Sequence, residues 1–497
     1  MKLRTSREGT QPVPGRLRGM PALLLQTLLV VAVALPAGTA IAAAFLGPDR
    51  RSSASQTAPP WQQIPATLSV PGTSSGGVVP LSASAPVPVG EALAAQLNKT
   101  LRPDGAGTFT GIVQDASTGQ VLFDRAADEA RVPASNMKLL TAVAALRVLG
   151  PDRRFSTRVL AGPTPGAVVL SGGGDVLLGA GESAPGAVLG RAGLTTLAKA
   201  TIDALKAGGV TGTVNVLLDD SLFSGPPLST AWSPEDVAAG EMAPLYPLAL
   251  NSARFDPAKT TGPRPQDAAM TAAEVFAARL TAAAAAEGLS VAPGIARVQP
   301  GGAPEGRDAK VLAEVRSATV GQQVDFMLQT SDNYLAEVMG RMTALGAGRP
   351  GSSDDAIAAV LAQVKDMGVP TDSLRAADVS GLALANRVSA RQLTDVVRAM
   401  TSGTDPRLRA ALTGFPVAGL TGTLGDRYTD AASAAGAGLV RAKTGTLNTV
   451  IALSGYVVDA DGRLLVFSFV GNGLTPGAAN KAALDRSAAV LAGCGCR

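Results

Sequence analysis

The chain reads as an α/β (α+β) protein: an antiparallel sheet flanked by helices, interrupted by inserted domain material. Three observations predict this. A hairpin pattern near the start pairs Thr108–Gln114 with Val121–Asp124 across the turn run Asp115-Ala116-Ser117-Thr118-Gly119. The C-terminal part is rich in strands and closes on a helical stretch. Between them, helical stretches follow a long segment in which strand and helix patterns alternate.

The segments follow in order. Residues 1–19 form a basic tail, with Lys2, Arg4, Arg7, Arg16 and Arg18 against Glu8. That tail accounts for the whole net charge of +4, so the pI near 9.2 gives no sign of nucleic-acid binding. Residues 20–46 carry no charge for 27 positions, long enough to span a bilayer with the C-terminal side outside. Pro36, Gly38, Ala40 and Ala42 also resemble a signal-peptide exit, so a membrane anchor and a cleaved signal both stay open. Either one exports the rest of the chain.

Residues 47–90, rich in Ser, Pro, Thr, Ala and Gly, read as a flexible linker. Order begins near Gly90, where Leu93, Leu97 and Leu101 share a helical face. A second helix follows Ser135, with Leu139, Val143 and Leu146 on one face and Gly150 as its stop. Residues 91–161 and 320–493 are expected to be two parts of one domain, and 162–319 the inserted material. The insert shows strands at Val168–Ser171 and Val214–Asp219, with helices near Leu194–Ala207 and Ala268–Glu287. Further helices flank Ser331 and cover Asp354–Asp366, and Ser389 with Gln392 forms a capping box. Strands Gly438–Thr446, Val450–Val458 and Leu464–Val470 precede a final helix over about Pro476–Leu491. Cys494 and Cys496 make no disulfide framework; pairing with each other or with a partner stays open, and a loose tail is the plainer reading.

The chain has no histidine, which excludes a Ser-His-Asp triad and a His-ligated zinc hydrolase. Ser135 and Lys138 lie three apart at a helix start, so their side chains share a face and the serine gains from the positive dipole end. Lys138 serves as a base only when neutral, which needs desolvation and a nearby cation; Lys443 is the candidate cation. Ser331-Asp332-Asn333 reads either as a capped helix junction or as a turn that pushes a hydroxyl and an amide into a cleft. Lys443-Thr444-Gly445 reads either as an exposed strand end or as a grip for a carboxylate, with Gly445 admitting substrate backbone.

Three such motifs in this order are shared by β-lactamases and penicillin-binding proteins. Ser135 and Ser331 stand 196 positions apart, far more than a minimal β-lactamase needs. With Pro133-Ala134-Ser135-Asn136-Met137-Lys138, Gly173-Gly174-Asp175 and Asp378-Val379-Ser380-Gly381-Leu382, the chain resembles the D-alanyl-D-alanine carboxypeptidase/endopeptidase family, the class C low-molecular-mass penicillin-binding proteins.

The resemblance covers roughly residues 90 to 490 and implies a transpeptidase-like domain with inserts. It also implies peptidoglycan stem peptides as substrates, β-lactams as inhibitors, and no cofactor or metal. On it, Ser135 forms the acyl-enzyme, Lys138 takes its proton, and Ser331 relays a proton to the leaving D-alanine. Asn333 holds the substrate amide and Lys138, while Lys443, Thr444 and Thr446 line the strand that binds the terminal carboxylate. The N–H groups of Ser135 and Thr446 make the oxyanion hole. Strand Gly438–Thr446 accepts the stem peptide as an added strand. Trp232-Ser233-Pro234-Glu235-Asp236 resembles the segment that carries an acidic residue for the diamino acid's amine, which points to Asp236.

Two alternatives are a β-lactamase-like hydrolase and a non-catalytic peptidoglycan-binding envelope protein. The first lacks a suitable deacylating glutamate: between the second and third motifs the only one is Glu337. The intact nucleophile and base argue against the second.

Overall fold

The elements take their places largely from burial. The computed structural model describes residues 81–82, 84–298 and 310–496; the expected basic tail and the 20–46 segment lie outside the described residues, as does nearly all of the linker. Among the described residues no helix is long and apolar enough to cross a membrane.

Helix α1 (Gly90–Thr100) buries Leu93 and Leu97. Strands β1 (Thr108–Asp115) and β2 (Val121–Arg125) form the expected hairpin, its turn closed by Asp115 Oδ1 accepting from the Thr118 N–H at 2.7 Å. After β3 (Ala130–Arg131) comes α2 (Met137–Leu149). The apolar stripe expected on α2 is instead a whole circumference, buried apart from Arg147 and Val148, so this helix is the central one.

The next strands and helices are β4 (Arg154–Ala161), β5 (Ala167–Ser171), β6 (Asp175–Leu178), α3 (Leu194–Ala207), β7 (Thr213–Asp219) and α4 (Pro234–Ala238). Then come β8 (Leu248–Leu250), α5 (Ala268–Ala285), β9 (Ser290–Val291), β10 (Ala296–Arg297) and β11 (Val311–Thr319). Helices α6 (Val320–Thr330), α7 (Asn333–Gly346) and α8 (Ser353–Asp366) follow, then β12 (Val388–Ser389) and α9 (Ala390–Ser402). The chain closes with β13 (Arg441–Leu447), β14 (Val450–Val458), β15 (Leu464–Asn472) and α10 (Ala478–Gly493).

The main sheet runs β13-β14-β15-β1-β2, antiparallel throughout, with β13 at one edge. Helices α1 and α10 cover one face, where Leu93, Phe467, Phe469 and Leu484 pack together. Helices α2 and α9 belong to the other core, with Leu140, Val397, Val466 and Val470. The Ser389–Gln392 capping box opens α9 as expected.

The inserted material has its own sheet, β10-β7-β5-β4-β11, and its own core of Leu170, Leu197, Val216 and Phe276. That sheet begins at Arg154, ahead of position 162. β4 and β11 were not foreseen, because each alternates apolar with charged or small polar residues over a short length. The C-terminal tail is not loose. Cys494 and Cys496 are joined by a disulfide, both buried, and the Cys496 carbonyl accepts from Val89 N–H at 2.8 Å.

Candidate active site

A single strained turn presents Ser135, the candidate nucleophile. Ala134 has φ 47°, a left-handed conformation rare for a residue with a side chain. Two glycines leave room for that turn. A Cβ on Gly381 would stand 2.0 Å from the Ala134 carbonyl oxygen, and one on Gly445 would stand 2.9 Å from that of Pro133. Gly445 thus also makes room for the backbone that leads into Ser135.

Lys138, the second residue of α2, is fully buried. Its Nζ lies 3.0 Å from Ser135 Oγ, 2.6 Å from Asn333 Oδ1 and 2.7 Å from the Ser380 carbonyl oxygen. Burial pulls its pKa down to about 8, opposed by Asp378, Asp332, Glu337 and Glu241. Desolvation, one of the two causes expected, is what brings Lys138 toward neutrality. Lys443 itself is pushed well below the usual lysine range by burial and by Lys138.

The second motif is both capped junction and cleft turn. Ser331 ends α6 in the left-handed region at φ 59°, and Asp332 Oδ1 caps α7 by accepting from Leu335 N–H at 2.9 Å. Lys443 Nζ donates to Ser331 Oγ at 2.9 Å and to the Thr444 carbonyl at 2.8 Å. Asn333 Nδ2 faces the Glu241 carbonyl at 3.2 Å and its carboxylate at 3.4 Å.

These residues meet at a cleft of about 1260 Å³ along the edge strand β13. Ser135, Ser331, Asn333, Thr444 and Thr446 line it, whereas Lys138, Lys443 and Gly445 lie beneath its surface. Thr444 Oγ1 shares a 2.6 Å hydrogen bond with Thr423 Oγ1. The inserted material supplies a wall of Ser233, Glu235, Asp236 and Glu241. Asp236 stands in the first turn of α4, its N–H held by Ser233 Oγ at 3.1 Å.

Residues 93–271 and 257–492 match the D-Ala-D-Ala carboxypeptidase 3 (S13) family. The chain belongs to that family. It is 37% identical over 471 residues to the carboxypeptidase DacB of Mycolicibacterium smegmatis, spanning 94% of this chain and 95% of that protein. It is 36% identical over 437 residues to a carboxypeptidase of Mycobacterium tuberculosis, spanning 87% and 91%. The fold is similar to the crystal structure of penicillin binding protein 4 from Haemophilus influenzae, with TM-score 0.61 and 20% identity over 79% of this chain and 97% of that one.

The candidate site also includes residues that sequence reasoning did not assign. Glu241 abuts Asn333, and Thr423 abuts Thr444, yet neither belongs to a motif. The 378–386 turn supplies the Ser380 carbonyl. Glu337, 2% exposed, supports it by accepting from Val379 N–H at 3.0 Å and Ser380 N–H at 2.7 Å. Burial, then the Asp378 charge, raises Glu337 to about 8. Buried in this way and absent from the cleft wall, Glu337 is a brace for the turn, not a water-activating base. The phrase Asp378-Val379-Ser380-Gly381-Leu382 was the available signal, but a run of residues says nothing of which carbonyl faces the lysine.

Proposed function

We propose that this S13 enzyme cleaves D-alanyl-D-alanine termini of peptidoglycan stem peptides, and the matching bond in crosslinks, through an acyl-enzyme on Ser135. One observation carries the reading. Two of the three oxygens around Lys138 Nζ are a carbonyl and an amide oxygen, which only accept. A neutral amine gives its two hydrogens to those, so its lone pair faces the one partner able to donate, the Ser135 hydroxyl.

The steps follow from this arrangement. Lys138 takes the Ser135 proton as Oγ attacks the carbonyl of the penultimate D-alanine. The N–H groups of Ser135 and Thr446 hold the oxyanion. Ser331, bonded to Lys443, passes a proton to the leaving amine, and D-alanine departs. Water then hydrolyses the ester. Thr444 and Thr446, with Lys443 beneath them, hold the terminal carboxylate. Asn333 orients both Lys138 and the substrate amide. Asp236 on the inserted wall receives the amine of the stem peptide's diamino acid. The 20–46 segment carries the enzyme out through the membrane, as an anchor or a signal.

The test is intact mass after incubation with benzylpenicillin. Wild type should carry one penicilloyl adduct and Ser135→Ala none. Penicillin consumed without an adduct would favour a β-lactamase, and neither adduct nor consumption would favour a binding protein.

A further inference from the structure

The wall of the cleft and the base beneath it are joined by one buried side chain. Trp232 immediately precedes the wall residues Ser233, Glu235 and Asp236, and is 5% exposed. Its Nε1–H donates to Asp378 Oδ2 at 3.0 Å. Asp378 is the hub of the turn that holds Lys138. It accepts from Gly381 N–H at 2.8 Å, Ala383 N–H at 2.7 Å, Asn386 Nδ2 at 2.7 Å and Ser380 Oγ at 3.1 Å. Ser380 in turn offers its carbonyl to Lys138 Nζ. Among the described residues, Trp232 is the only donor that the inserted material gives to this turn.

We propose that Trp232 is a positioning residue for the acylation reaction: its indole N–H sets the Asp378 hub, and through it the Ser380 carbonyl that aims the Lys138 amine at Ser135. The inference rests on the acyl-serine reading above. It makes the insert part of the catalytic apparatus as well as a wall for substrate, because a shift of the 232–236 segment is felt at the base. A buried carboxylate that loses one of several donors relaxes toward those that remain, and here that moves the Ser380 peptide.

The charged groups around Lys138 give the effect a sign. They are Lys443 from β13, Asp332 at the α6–α7 junction, Glu337 from α7, Asp378 from the turn and Glu241 from the insert. Weakening the Ser380 acceptor removes a hydrogen bond that favours the ammonium form, so the pKa of Lys138 falls. The lone pair is also aimed less well, so the plateau rate falls.

The experiment measures acylation of the full chain by a fluorescent penicillin against pH, for wild type and Trp232→Phe. The expected result is a plateau about three- to tenfold lower, the size of effect that follows from one weakened hydrogen bond to a charged group. The rising limb should also move to lower pH. If Trp232→Phe fails to fold, 3-benzothienylalanine at position 232 keeps the bicyclic shape and lacks only the N–H. Equal rates and an unmoved limb in either variant would overturn the link, even if the melting temperature dropped. No adduct on wild type would instead overturn the acyl-serine reading itself.

Discussion

The acylation rate should follow the fraction of Lys138 that is neutral. With its pKa at about 8, that fraction is about 1% at pH 6, about 9% at pH 7 and about 90% at pH 9. Acylation by a β-lactam, whose own reactivity changes little there, should therefore rise roughly tenfold from pH 7 to pH 9 and then level off. The cause is structural. A fully buried ammonium loses its hydration, and the nearby carboxylates return only part of that loss. The assay is the second-order rate of penicilloyl-adduct formation, measured by quenched gel fluorescence across pH 6 to 10. Lys138→Arg is the control. It keeps the cation but has no accessible neutral form, so its rate should be lost at every pH. A wild-type limb centred near the ordinary lysine value, or a flat profile, would refute the argument that burial makes Lys138 the base.

Two further outcomes follow from the same packing. Gly381→Ala places a methyl 2.0 Å from the Ala134 carbonyl oxygen at a position with φ 87°; it should lower acylation by a factor of about ten or more, read in the same gel assay, because the nucleophile's turn must move. Glu337→Gln tests linkage. Folding raises the glutamate from 4.5 to about 8, so the folded state holds a proton that the unfolded state releases, and stability falls as pH rises through that window. The slope is about 1.4 kcal/mol per pH unit at most. Glutamine still accepts from Val379 and Ser380 but does not ionise, so its urea midpoint should fall less than wild type between pH 5 and pH 8.

Legibility in the sequence tracked the reach of the interactions. Strand β14 and helix α3 were readable to the residue, because their periodicity and flanking turns are local. Helix α2 was placed correctly but read as one-sided, since its small residues Ala142, Ala144 and Ala145 give no sign that a second layer covers them. The three motifs marked Ser135, Lys138, Ser331, Asn333 and Lys443 because the family preserves their order. Glu241 and Thr423 were invisible for the opposite reason. Each reaches the site through contacts made by folding, 92 positions from Asn333 in one case and 21 from Thr444 in the other.

The same contrast explains how two lysines can share one buried site without histidine. Lys138 and Lys443 each have a backbone carbonyl and a hydroxyl as partners, Ser380 with Ser135 and Thr444 with Ser331. The carbonyl consumes a hydrogen and fixes the direction of the amine; the hydroxyl can accept or donate, and so can carry a proton either way. On the mechanism proposed above, one such pair supplies a base for attack and the other an acid for departure. Their mutual repulsion disfavours holding both protons at once. What a histidine would do with two nitrogens, the proposed mechanism assigns to two buried amines.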